Sequence, residues 1–272
     1  MKKITVLLLT IILSVGFLGC GGKKNKLDNT QNKENKKKIV VGASPTPHAE
    51  ILEVSKEELK KEGYELEIKP FTDYQIPNRA LSEKQLDANY FQHIPFLEES
   101  VKEKGYKLTS IAKIHIEPMG LYSKKIKKLE EIKNGAEIAI PNDPSNGGRA
   151  LKVLENAGII KLKSGELVTK LDIMENKKNI KITEVDAAQL PRILGDIEAA
   201  VINTNYAIEA SLNSLKDAIV IESKDSPYVN ILAVREEDKN KNYIKALSKA
   251  LTSEAVKKFI QEKYNGNIIP VF

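Results

Sequence analysis

The chain has one cysteine, Cys20, so no internal disulfide can form. Its three histidines, His48, His93 and His115, show no metal-ligand spacing, and the expected metal complement is none. Gly147-Gly148 is only a glycine pair: the dinucleotide fingerprint is absent and no phosphate-loop lysine follows it. No tandem short repeat is present, and there is no tryptophan. The loops at the predicted strand ends hold no paired carboxylates and no Gly-x-Ser-x-Gly elbow, so no nucleophile–base pair is visible. The expectation is a protein with no cofactor and no enzymatic activity.

Excess charge is also lacking where it would matter. The 272 residues carry a formal net charge of +6, from 43 basic and 37 acidic side chains. Nine of the basic and two of the acidic residues fall before residue 39, which leaves 34 and 35, a net of −1, for residues 39–272. The basic balance therefore belongs to the N-terminus, and a nucleic-acid partner is not expected.

That N-terminus has its own pattern. Met1-Lys2-Lys3 is a short positive region, and residues 4–18 are an apolar run shorter than the ~20 residues of a membrane-spanning helix. The run ends in Phe17-Leu18-Gly19-Cys20, which resembles a bacterial lipobox. Residues 1–19 are then a lipoprotein signal peptide, and Cys20 is the lipidation site. Residues 20–38 hold seven lysines and one large apolar side chain, Leu27, and read as a flexible lysine-rich tether.

From residue 39 the periodicity changes to buried strands alternating with amphipathic helices, the rhythm of a parallel sheet covered by helices. Strands are expected at 39–44, 64–70, 87–93 and 108–116, with helices at 49–62, from 77, and at 94–104. A second unit repeats the rhythm, with strands at 137–141, 181–184, 199–202, 218–221 and 229–234. Its helices are expected at 146–157, 168–175, 187–194 and 206–211, and two more at 241–251 and 253–263 close the chain. The fold class is α/β, and segments 117–122 and 225–229 are the candidate crossovers between the units.

Ligands of open α/β sheets collect beyond the carboxyl ends of the strands. The residues there are rich in aromatics and amides: 44–48, 71–74, 90–93, 142–149, 203–205 and 228–230. Within 138–155 an apolar strand breaks into a Pro/Asn/Asp/Gly loop and then a helix with Arg149 in its first turn. Helix N-terminal N–H groups beside a guanidinium suit an anion, and a carboxylate above all. The alternative is an arginine that reaches away and pairs with a surface acid.

Six segments carry a family resemblance: IVVGASPTPHAEIL, FTDYQIPNRAL, LDANYFQHIPFL, AIPNDPSNGGRALKVLENAGIIKLK, AAVINTNYA and DSPYVNILAVR. Together they resemble the methionine-binding lipoproteins of bacterial ABC importers, the NlpA-type family. The resemblance implies a type II periplasmic-binding-protein fold: two α/β lobes joined by two crossovers with a ligand cleft between them. Lobe 1 would be 39–118 plus 230–272, and lobe 2 would be 119–229. It implies a monomer, lipid-anchored on the extracytoplasmic side of the cell membrane, that delivers L-methionine to a permease with its ATPase. Arg149 would hold the ligand carboxylate, Asn203 and Asn230 the head group, and His93 a further head-group contact. Tyr74, Tyr90 and Phe91 would wall the side-chain pocket, and His48 and His115 read as structural. Gly147 stands where a larger residue is common in the family, a difference expected to bear on cleft width. The alternatives are another small apolar amino acid, a methionine-containing dipeptide, or a surface or adhesion protein.

Overall fold

The structure is a computed structural model that describes residues 37–272. Cys20, the signal peptide and nearly all of the tether lie outside the described residues. Among the described residues no helix is long and apolar enough to cross a membrane.

The first strand, β1 (Lys38–Ala43), runs parallel to β2 (Glu65–Pro70) and β3 (Ala88–His93). Between β1 and β2, α1 (Glu50–Lys61) buries Ile51, Leu52 and Leu59, and its charges suit the helix dipole, with Glu50 and Glu53 first and Lys60 and Lys61 last. The short α2 (Ile76–Ser82) leads to β3. The next helix, α3 (Ile94–Lys104), starts where His93 accepts the Phe96 N–H and stops at Gly105, which takes the left-handed conformation (φ 69°) that suits glycine. A long strand follows, β4 (Leu108–Ile116).

The chain then enters a second sheet through β5 (Gly120–Tyr122), β6 (Glu137–Pro141) and α4 (Pro144–Asn156). A small hairpin pairs β7 (Lys161–Leu162) with β8 (Ile173–Glu175). The second sheet is completed by β9 (Lys181–Val185), β10 (Ala199–Ile202) and, after α5 (Thr204–Glu209), β11 (Val220–Ile221). The chain returns through β12 (Val229–Arg235), and α6 (Asn242–Leu251), α7 (Glu254–Tyr264) and β13 (Ile269–Pro270) end it. The sheet orders are β13-β4-β12-β3-β1-β2 and β11-β5-β10-β6-β9.

Both sheets are covered on two faces, which the side-chain alternation of their central strands requires. In β12, Leu232 and Val234 face the core under α1, α6 and α7, while Ile231 and Ala233 face Leu81 and Leu97 of α2 and α3. In β10, Ala199 and Val201 pack towards α4, and Ala200 and Ile202 towards Leu190 and Tyr206.

The structure departs from the sequence reading in four places. The first sheet is mixed, because β12 runs antiparallel to both neighbours, β3 and β4. Its direction is set by its return from the second sheet and not by a β-α-β turn. Residues 168–175 are one 3₁₀ turn (Lys170–Asp172), capped by Thr169, and then a strand, not a helix. Residues 187–194 split into two short turns on either side of Pro191, whose missing N–H breaks the expected helix. The short strands β5, β7 and β13 lack the length to show a period and were not anticipated.

Helix α4 lies close against its neighbours because it carries two glycines. A Cβ on Gly147 would sit 2.9 Å from the carbonyl oxygen of Pro141, and one on Gly148 2.8 Å from that of Val168. Gly147 therefore faces the end of β6 and not the cleft, so the expected effect on cleft width has no direct route. Both contacts are to backbone, which cannot rotate away. Gly148→Ala is expected to destabilise the protein by about 1–3 kcal/mol through overpacking. Urea denaturation followed by circular dichroism measures this, and an unchanged midpoint would show that the Val168 loop yields freely.

Candidate functional site

The carboxyl ends of β3, β4, β6 and β10 converge on a cleft between the two sheets. It encloses about 330 Å³ of space, open mouth included. Its aromatic wall comes from the first half. Tyr74, Phe91 and Phe96 stand with ring centroids 5.8 to 6.0 Å apart, in tilted and edge-on pairs. Phe91 reaches the cleft because β3 bulges there: Ile231 pairs with Gln92 and Leu232 with Tyr90, which leaves Phe91 opposite no residue. Tyr90 is a correction to the sequence reading. It lies in the core of the first sheet, fully buried, with its hydroxyl 2.5 Å from His115 Nδ1.

The polar floor comes mainly from the second half. Asp143 caps α4 by accepting from Asn146 N at 2.9 Å, and it also accepts both contacts from Asn146 Nδ2, at 3.0 and 3.1 Å. That fixes the Asn146 amide, and its Oδ1 then accepts from Asn203 Nδ2 at 2.8 Å and from His93 Nε2 at 3.1 Å. Tyr74 donates its hydroxyl to Asn205 Oδ1 at 2.5 Å. Two buried amide atoms of this floor are left without a partner, Asn203 Oδ1, an acceptor, and Asn205 Nδ2, a donor.

Arg149 is 3% exposed. Its Nε donates to both Glu222 oxygens at 3.0 and 3.2 Å, and its Nη2 donates to Glu222 Oε2 at 2.5 Å and to the Glu117 carbonyl at 2.7 Å. The Tyr228 ring lies 4.5 Å from the guanidinium carbon. The acid it pairs with, Glu222, is itself largely shielded, and the arginine still lines the cleft. Its Nη1 makes no hydrogen bond to any described residue.

His93 lines the cleft as well, but both its nitrogens are engaged, Nε2 with Asn146 and Nδ1 with the Phe96 N–H. The expected head-group contact is thus confined to its ring. Asn230 also lines the cleft, and Gln92, Phe96, Glu117, Asn146, Thr204 and Asn205 are the lining residues absent from the predicted site. Asn146 and Asn205 sat inside the strand-end loops already singled out; Glu117 had been read only as crossover.

Behind the cleft, His48, His115 and Glu117 bring their donor atoms within 4.8 Å of one another, the one such group with metal-ligand composition among the described residues. Those atoms are engaged with each other. His115 Nε2 lies 2.7 Å and His48 Nε2 3.2 Å from Glu117 Oε1, and His48 Nε2 lies 2.9 Å from Asn230 Oδ1. Burial lowers His48 to about 4 against the pull of Glu117, and lowers His115 to about 3. Burial, then Arg149, lowers His93 to about 3. Burial raises Glu117, against the opposing pull of His48 and Arg149.

The chain matches the family described as NlpA lipoprotein over residues 39–272. It belongs to the NlpA lipoprotein family. The methionine-binding lipoprotein MetQ of Bacillus subtilis (strain 168) is 43% identical to it over 278 residues, covering 100% of this chain and 99% of that protein. The D-methionine-binding lipoprotein MetQ of Escherichia coli (strain K12) is 41% identical over 264 residues, covering 95% and 94%. Among solved structures, a nutrient binding protein from Burkholderia cenocepacia bound to methionine is 48% identical with a TM-score of 0.84, covering 86% of this chain and all of its own. These NlpA-family relatives are binding proteins rather than enzymes, and the fold is the type II periplasmic-binding-protein fold.

The depressed histidines make stability depend on pH. Unfolded, each titrates near 6.5; folded, each stays neutral down to about 3 or 4. Below pH 6.5 the unfolded chain binds protons that the folded one refuses, so stability falls as pH drops from 6.5 towards 4. Each histidine contributes up to about 1.4 kcal/mol per pH unit, and the raised carboxyl of Glu117 opposes them. His93→Gln is expected to flatten the slope between pH 6.5 and 4.5, measured by urea melts at both values. An unchanged slope would mean that His93 does not stay neutral when folded.

Proposed function

We propose that this chain is a lipid-anchored substrate-binding protein that holds methionine as a zwitterion in the cleft and delivers it to an ABC permease and its ATPase. The observation that carries the reading is the pair of unpartnered buried atoms of opposite polarity, Asn203 Oδ1 and Asn205 Nδ2. An unmet buried donor or acceptor costs about 1–3 kcal/mol, and an amino-acid head group meets both at once. The ammonium faces Asn203 Oδ1 and the Glu117 carboxylate. The ligand carboxylate faces Asn205 Nδ2 and the free Nη1 of Arg149.

The thioether lies against Tyr74, Phe91 and Phe96. Sulfur–ring contacts contribute about 0.3–1.5 kcal/mol each, and each buried CH₂ about 0.8 kcal/mol. A polar or charged side chain would find no partner on that wall. The relative from B. cenocepacia, bound to methionine, supports this choice of ligand, and the two MetQ names support both the ligand and the lipoprotein anchor at Cys20. Ligand held between an aromatic wall from one half and an amide floor from the other stabilises the closed arrangement that a permease would meet.

Methionine is expected to raise the melting temperature of protein stripped of co-purified ligand. A panel of L- and D-amino acids and methionyl dipeptides ranks the ligands. No shift with any of them sinks the reading in favour of a surface protein; a larger shift with leucine or a dipeptide reassigns the ligand. Arg149→Ala is expected to weaken methionine by at least about 100-fold, the roughly 3–5 kcal/mol of a buried charge that loses its partner. Titration calorimetry near wild-type affinity would remove Arg149 from the carboxylate.

A further inference from the structure

We propose that His48 is a positioning residue for the cleft: it holds the side-chain carbonyl of Asn230 and thereby commits Asn230 to donate, through Nδ2, to the carboxylate of a bound amino acid. This rests on the amino-acid-binding reading above. An asparagine in a ligand site is ambiguous by itself, since its amide can donate or accept. The surroundings of His48 remove the ambiguity.

His48 Nε2 lies between two oxygens, 2.9 Å from Asn230 Oδ1 and 3.2 Å from Glu117 Oε1. Glu117 Oε1 is a hydrogen-bond acceptor here, because it also faces His115 Nε2 at 2.7 Å. His115 can donate from Nε2, since its other nitrogen is positioned to accept the Tyr90 hydroxyl. A bare Nε2 on His48 would turn its lone pair towards a carboxylate oxygen. The proton therefore sits on Nε2.

The other ring nitrogen gives the same answer. His48 Nδ1 is buried with no partner. A proton there would be a buried N–H with nothing to receive it, whereas a bare nitrogen is the milder defect. Turning the Asn230 amide round would force that proton onto Nδ1 and bring Nδ2 to His48. Both arguments put Oδ1 on His48, as observed. The Nδ2 of Asn230 then has no hydrogen bond to any described residue, and Asn230 lines the cleft.

The chain of hydrogen bonds thus runs from Tyr90 to His115 to Glu117, and from His48 to Asn230, and every member is buried. It sorts the cleft by polarity. Arg149 Nη1, Asn205 Nδ2 and Asn230 Nδ2 are donors and gather the carboxylate; Asn203 Oδ1 and Glu117 accept and gather the ammonium.

The test is titration calorimetry with L-methionine on Asn230→Ala, Asn230→Asp, His48→Leu, His48→Gln and the double variant His48→Leu/Asn230→Ala, with thermal unfolding as the fold control. Asn230→Asp sets a carboxylate against the ligand carboxylate. It is expected to bind at least 100-fold more weakly than wild type and more weakly than Asn230→Ala; binding equal to or tighter than Asn230→Ala overturns the proposal, because an acceptor would then suit the ligand. His48→Leu is expected to weaken binding at least 10-fold alone but less than 3-fold in the Asn230→Ala background. An equal loss in both backgrounds means that His48 acts only on the fold, and overturns its positioning role. His48→Gln, which keeps a donor, should stay within about 3-fold of wild type, and a loss as large as that of His48→Leu also overturns it. Should His48→Leu not fold, the Asn230→Asp and His48→Gln results decide. Wild-type protein that binds no amino acid is a failure of the functional reading, seen before any variant is compared.

Discussion

The buried ion pair between Arg149 and Glu222 holds the molecule's two connections in place. Glu222 accepts from the guanidinium and from the backbone N–H of Met119 at 3.1 Å, while Arg149 Nη2 reaches the carbonyl of Glu117 at 2.7 Å. Residues 117–119 carry the chain from the first sheet to the second, and Glu222 begins its return. One side chain of α4 therefore ties both passages together beside the cleft. Such a pair contributes little net stability over an apolar replacement, since desolvation offsets the attraction. What it provides is geometry. The guanidinium is fixed by Glu222 and by the Tyr228 ring, so its remaining nitrogen has one direction left.

The same logic recurs along the cleft. Each polar side chain has one end held by protein: Asn146 by Asp143, Asn203 by Asn146, and Asn205 by Tyr74. The other end of Asn203 and of Asn205 is left unmatched. Amides held in this way need no reorganisation to receive a ligand, which lowers the entropic cost of binding. Two of the bonds also cross between the halves, Tyr74 to Asn205 and His93 to Asn146. The residues that shape the site are thus also the ones that draw its walls together.

Much of this was legible in the sequence because it depends on local chemistry. Helix α3 and strands β4 and β10 fall where their periodicity and their glycine and proline punctuation put them. Arg149 stood out because a cation near a helix N-terminus needs a reason, although α4 starts at Pro144 and so places it in the second turn, not the first. Other features could not be read. Glu222 lies 73 residues from Arg149, and nothing in its own neighbourhood marks it as a partner. Tyr90 and Phe91 are adjacent, and only the bulge in β3, imposed by a strand some 140 residues further on, sends one to the core and the other to the cleft. The 168–175 segment has helical composition, yet hairpin pairing with β7 overrides it.

Strand β12 lies in the middle of the first sheet, between β3 and β4, although it is among the last parts of the chain to be made. Until residue 235 is available, β3 and β4 have no strand between them, and Ile114 and Tyr90 have no Leu232 to pack against. The N-terminal half is therefore not a unit that can mature alone, and long-range closure of this kind is slow. With its keystone arriving last, β4 has no partner strand until most of the chain has been made.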